Sequence, residues 1–170
     1  EKLLERSGRS RTPQLQLATD LNITQFNQPA GGCLLTNHDF ANRIRDTLTY
    51  GYRNFRETIS LKWGRHFRID KNFKAILGRN ADENQFLLQY THPQDYVMRF
   101  VEKQGPTLLL KGENPTEDIF ETAAGLIQEF SKYKNDPPEK IEYWPVAHKN
   151  QTQHIHPKKL KRPFVDAMYV

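Results

Sequence analysis

Residues 115–133 constrain this chain most, because they read as one amphipathic helix that has to cover something. Ile119, Phe120, Ala123, Ile127 and Phe130 recur at helical spacing on one face, Thr116 stands at the cap position, and Asp136-Pro137-Pro138 closes the segment. The runs around it supply a sheet for that face. KWGRHFRI (62–69) and FKAILGR (73–79) read as two strands joined by a turn at Asp70-Lys71-Asn72. Residues 96–101 alternate as a further strand, Gly105-Pro106 marks a turn, and residues 107–110, 141–146 and 164–170 read as three more strands. A short helix over 81–90 is capped by Asn80. The expected class is α+β, with residues 60–170 forming a mostly antiparallel sheet with two helices.

The front of the chain differs. Residues 1–21 are helix-prone, with Thr12-Pro13 as a cap and first turn, and TQFNQPAGG (24–32) is a turn-rich loop leading into Cys33. Cys33, Leu34 and Leu35 form a short apolar step that suits a strand. Thr36 or Asn37 then caps a helix over 38–50, in which Phe40, Ile44 and Leu48 recur every four residues; helix is also expected over 52–59. Short N-terminal helices and a cysteine loop over 1–52 are therefore expected before the sheet domain. The first residue is Glu1, and residues 1–11 show no signal sequence, so the chain reads as a fragment that begins inside a helix of something larger.

Charge points to a partner. The chain carries 25 Lys and Arg against 20 Asp and Glu, a net +5. Lys62, Arg65, Arg68, Lys71, Lys74 and Arg79 face only Asp70 between positions 62 and 79, with Trp63, His66, Phe67 and Phe73 interleaved. Lys158, Lys159, Lys161 and Arg162 form a second cluster. Cations neutralise phosphates and aromatic faces take unpaired bases, so these stretches read either as an RNA-binding face or as a charged, solvated edge strand. The 19 aromatic residues argue against disorder, and no apolar run approaches the roughly 18 residues of a membrane span. No GxxxxGK[ST] or GxGxxG stretch is present to cradle a nucleotide phosphate.

A single cysteine excludes an intrachain disulfide and an all-cysteine metal site, and a reducing cytosol is the expected setting. Cys33 follows two glycines and precedes a helix cap by a few residues, which suits an activated thiol; its apolar Cys-Leu-Leu context suits a buried one equally. His148, His154 and His156 have no Cys or carboxylate at ligand spacing, so no metal site is assigned and a solvated loop accounts for them. His38 and His66 form no visible triad with Cys33.

Two stretches carry a resemblance. ILGRNADEN (76–84) resembles the signature of the NFACT-R RNA-binding domain, with Gly78, Arg79, Asn80 and Asn84 in the matching places. Asp95, Gly105-Pro106 and the helix at 116–133 follow where that domain has similar elements. The resemblance implies RNA binding over about 62–170, with Lys62, Arg65, His66, Arg68, Lys74, Arg79, Asn80, Asn84, Lys158, Lys159, Lys161 and Arg162 as candidate contacts. QPAGGCLLTNHDFANRIRDTL (28–48) is similar to the cysteine segment of tRNA 2-thiouridylase-like proteins. That similarity implies that Cys33 holds or resolves sulfur, that tRNA and a persulfide sulfur donor are partners, and that the protein is cytoplasmic. It also implies an upstream ATP-binding, adenylating domain, so residues 1–52 would be its trailing helices, with no cofactor in this segment. The alternative is a non-enzymatic RNA- or ribosome-binding module in which the cysteine loop is a packed connector.

Overall fold

A computed structural model of the chain describes residues 12–23, 34–51 and 56–170. They belong to two compact units, residues 1–33 and 34–170. In the first, α1 (Thr12–Asp20) begins at the expected Thr12-Pro13 pair and buries none of its residues.

The second unit is built on one six-stranded sheet. Its strands are β1 (Arg65–Arg68), β2 (Lys74–Leu77), β3 (Tyr96–Phe100), β4 (Leu108–Lys111), β5 (Ile141–Pro145) and β6 (Gln153–Ile155). They lie in the order β1-β2-β4-β3-β5-β6, and every neighbouring pair is antiparallel. The β1–β2 hairpin is set by its turn: the Asp70 carboxylate accepts hydrogen bonds from the Asn72 and Phe73 amides at 2.7 and 2.9 Å. That turn fixes the register Arg65↔Leu77 through Arg68↔Lys74.

The sheet is covered on both faces. On one face α5 (Glu117–Glu129) lays Ile119, Phe120, Ala123, Leu126 and Ile127 against Phe67, Ala75, Leu77, Met98, Phe100, Leu108, Leu110 and Ile141. Gly125 allows a close crossing, since a Cβ there would lie 2.4 Å from the Lys158 carbonyl oxygen. On the other face Ile76, Val97, Leu109 and Trp144 pack with Leu87 of α4 (Ala81–Gln89). That face also meets α2 (His38–Tyr50), where Arg43 donates to the Leu61 carbonyl oxygen at 2.9 Å and Asp46 bonds Arg68 and Lys74. The α+β class with an antiparallel sheet is the one the sequence predicts.

Four elements depart from expectation. Residues 164–170 are not a strand: α6 (Arg162–Met168) starts with Pro163 in its first turn and buries Val165 and Met168, three apart on one helical face. Only Tyr169 adopts a bridge, to Phe67. The short strand β6 was not expected, because its polar residues lie at an edge and show no apolar alternation. In α2 the buried residues are Arg43, Asp46 and Thr47, while Leu48 is 66% exposed. Leu34–Thr36 is a 3₁₀ turn rather than part of a strand. α3 (Arg56–Ser60) lies inside the helix expected over 52–59 apart from its last residue.

Candidate nucleic-acid interface

The Gly78-Arg79-Asn80 turn is where the candidate residues begin to meet. β2 ends at Leu77, and the Gly78 amide donates to the Thr107 carbonyl oxygen at 3.0 Å. A side chain at position 78 would put Cβ 2.1 Å from Asn84 Oδ1, so glycine permits the close approach. Asn80 caps α4 by accepting from the Glu83 amide at 2.9 Å, as expected. Asn84 Oδ1 accepts from the Thr107 amide at 2.9 Å, and its Nδ2 donates to the Gly105 carbonyl oxygen at 3.2 Å. The two asparagines therefore bind the chain to itself.

Glu83 ties this turn to the start of β1. Its buried carboxylate accepts from the Gly64 amide at 3.1 Å, the Arg79 amide at 2.9 Å and Arg79 Nη2 at 2.6 Å. Burial opposes the charge, yet the hydrogen bonds from Arg79 and Gly64 outweigh it and hold the carboxyl below its usual range. Arg79, gripped at one side, leaves 45% of its side chain exposed.

Arg79 lines two clefts. One, of about 300 Å³, lies between the N-terminal turn of α2 and the pair Lys62 and Trp63. The other is a groove of about 800 Å³ that also takes in Arg99, Lys103, Phe130 and Lys132. Arg65 and Arg162 sit 5.1 and 5.9 Å from the Phe130 ring centroid, and Lys103 and Lys132 sit 4.4 and 5.1 Å from that of Tyr133. The result is a strip of cations and aromatic rings at the end of the sheet where β1 begins and β2 ends. Acidic partners temper part of it: Arg162 pairs with Asp166 at 2.9 Å, Arg99 with Glu142 at 2.6 Å, and Lys103 with Glu139. Lys62, Arg65 and Lys132 have no carboxylate partner among the described residues.

The structure thus gathers Lys62, Arg65, Arg79 and Arg162. It does not gather the rest. Arg68 and Lys74 are drawn beneath α2, where Asp46 accepts from Arg68 Nε and Nη2 at 2.8 and 2.7 Å and from Lys74 Nζ at 2.7 Å. Lys158 pairs with Asp118 at 2.7 Å beside α5; Lys159 and Lys161 are exposed. His66 is fully buried, so it cannot meet RNA. Lys103, Lys132 and Tyr133 escaped sequence reading because they fall outside both basic runs, and Phe130 because it scans as core. Cys33 lies outside the described residues. Among the described residues there is no group of three His, Cys, Asp or Glu side chains placed to hold a metal, and no helix long and apolar enough to cross a membrane.

His66 carries a pH dependence instead. Its Nε2 contacts the Trp63 carbonyl oxygen at 2.9 Å, and its Nδ1 has no hydrogen-bond partner among the described residues. Burial, reinforced by the nearby Lys74 and Arg43 charges, keeps the imidazole neutral well below its usual 6.5. The unfolded chain takes up a proton near pH 6.5 that the folded chain refuses. Stability is full above that pH and falls as pH drops below it, by up to about 1.4 kcal/mol per unit. Urea midpoints measured from pH 7 to 5 should show the decline, and His66→Gln should flatten it; an identical slope in the variant would reassign the effect.

A twisted antiparallel sheet backed by helices, with a cationic and aromatic end, has the build of a nucleic-acid-binding module. A family model described as the NFACT protein RNA binding domain matches residues 64–167, and the chain belongs to that family. Among solved structures, the C-terminal part of the fibronectin/fibrinogen-binding protein from Streptococcus suis is similar in fold, at 14% identity and a TM-score of 0.55. The match covers 78% of this chain and 61% of that one. No curated protein matches.

Proposed function

We propose that this chain binds RNA, and tRNA in particular, along the strip from Lys62 and Trp63 across Arg79 to Arg65, Phe130 and Arg162. The observation that carries the reading is the convergence of half-buried Arg65 and exposed Arg162 on Phe130, and of exposed Lys132 on Tyr133, in a chain of this family. Cations beside aromatic faces suit single-stranded RNA and loops, whose bases are free to stack. The test is a Lys62→Ala/Arg65→Ala/Lys132→Ala triple variant, chosen because none of the three has an ion pair to break among the described residues. Its affinity for tRNA should fall about tenfold or more near 100 mM salt, and the slope of log K against log salt should shrink by about 2–3. A folded triple variant with unchanged affinity and slope would remove the strip as the RNA face.

The choice of tRNA, and a role in uridine thiolation in the cytosol, are supported by residues 28–48 alone. On that reading Cys33 accepts sulfur from a persulfide donor protein, and ATP binds an adenylating domain upstream of this segment. Cys33→Ser in the intact protein should abolish thiolation; normal thiolation by the variant would end the sulfur-carrying role of Cys33, and no thiolation by the unaltered protein would leave the non-enzymatic RNA- or ribosome-binding module as the reading that stands.

A further inference from the structure

We propose that, given RNA binding along the strip, the sheet face carrying Arg99, Glu142 and His154 is a second RNA-contact surface, onto which a single strand runs from the groove at Arg99.

Side-chain alternation sorts this face. Ile141, Tyr143 and Ile155 pack with the core under α5, so their strand neighbours Lys140, Glu142, Trp144 and His154 point to the other side. There Val97, Leu109 and Trp144 are packed with Leu87 of α4. The next row runs across three strands and is aligned by the pairings Arg99↔Glu142 and Glu142↔His154. Arg99 and His154 are exposed, and so are Lys140 and Lys149. His154, expected in a solvated loop, thus stands on a strand with its side chain on an open sheet face.

The row suits a polyanion that carries bases. Arg99 Nε donates to Glu142 at 2.6 Å, and its guanidinium lies 5.2 Å from the Trp144 ring centroid, with 53% of the side chain still exposed. A guanidinium held in this way and an imidazole two strands off, about 10 Å at ~4.8 Å per strand, are two planar groups on which unpaired bases stack. Lys149 Nζ sits 5.8 Å from the centroid of the same tryptophan ring. Lys140 and Lys149 have no carboxylate partner among the described residues, and the one acid of the row, Glu142, is engaged by Arg99. Both lysines are therefore open to phosphates.

Continuity favours RNA as the occupant. Arg99 also lines the groove of about 800 Å³, together with Arg79, Lys103, Lys132 and a single acid, Glu102. A strand seated on the strip reaches this face by way of that groove. An acidic peptide would match the charge, but it has no use for the planar groups.

The test uses the full chain and an oligouridylate of about twelve nucleotides, followed by fluorescence anisotropy and backbone amide NMR shifts. The RNA should bind and shift the amides of Arg99, Glu142 and His154. Lys140→Ala/Lys149→Ala, on two exposed residues, should weaken binding several-fold and shrink the slope of log K against log salt by about 1.4, at roughly 0.7 per phosphate contact on a single strand. His154→Ala should weaken it a few-fold, and His154→Phe should restore it, because a ring is what the base needs. Unmoved amides along the row, or an affinity that the double lysine variant and His154→Ala leave unchanged, would overturn the surface. So would an oligoglutamate of equal length that displaces the RNA as well as unlabelled RNA does, since the face would then be a dock for an acidic peptide. No binding of RNA to the unaltered chain would end the RNA reading itself. Binding that the Lys62/Arg65/Lys132 triple variant lowers and these variants leave alone would end only this extension.

Discussion

Asp46→Asn should destabilise the folded chain by about 3–5 kcal/mol, the largest effect expected of any single polar substitution here. The substitution keeps the shape of the side chain and removes only the charge, leaving Arg68 and Lys74 beneath α2 with no carboxylate between them. Burial by itself would raise the Asp46 carboxyl, but the hydrogen bonds from Arg68 and Lys74 prevail and hold it below its usual range. Its contribution is therefore present above about pH 4 and is lost as pH falls through the folded-state value. Urea denaturation near neutral pH measures the loss. Adding Lys74→Met to Asp46→Asn should recover part of it, since one stranded cation is then removed. A loss below about 1 kcal/mol, with no recovery in the double variant, would mean that the cluster does not hold α2 to the sheet.

Glu83→Gln should cost about 2–3 kcal/mol, because one buried carboxylate receives the Gly64 amide, the Arg79 amide and the Arg79 guanidinium. The amide side chain accepts at one oxygen only and sets its own NH₂ against donors. This variant also probes function from inside the fold: tRNA affinity should drop although Glu83 is buried, since Arg79 loses its anchor. Thermal denaturation and a tRNA titration on the same sample check both effects. Full stability would remove Glu83 as the tie between β1 and the turn after β2.

The hairpin at 65–77, the helix at 81–89 and the helix at 117–129 were legible because their signals are local: an Asx turn, an asparagine cap, an apolar stripe. The end of the chain misled for a physical reason. Phe164, Val165, Met168 and Tyr169 suit a strand by composition, and only the neighbouring β1 and the first-turn proline decide for a helix. By sequence the basic run at 62–79 reads as one surface, but strand alternation sends Arg65 towards Phe130 and sends His66, Arg68 and Lys74 to the opposite side. The counterion for two of them, Asp46, lies more than twenty residues upstream, on a helix whose apolar residues suggested a different buried face. Long-range electrostatic pairing leaves no periodic trace, so the depth at which each cation sits was not readable.

The pairing of β3 with β5 has a kinetic side. Phe100 meets Ile141, and nothing between them can complete that edge until α5 has been made. At roughly 5–20 residues per second on a ribosome, the segment from 101 to 140 takes about 2–8 s to emerge. During that wait β3 can zip to β4, but its other side, with Val97 and Met98 in the row, stays open to any passing strand. The outward Arg99, later joined to Glu142, is the sort of charged gatekeeper that keeps such an edge from pairing with the wrong chain while synthesis finishes.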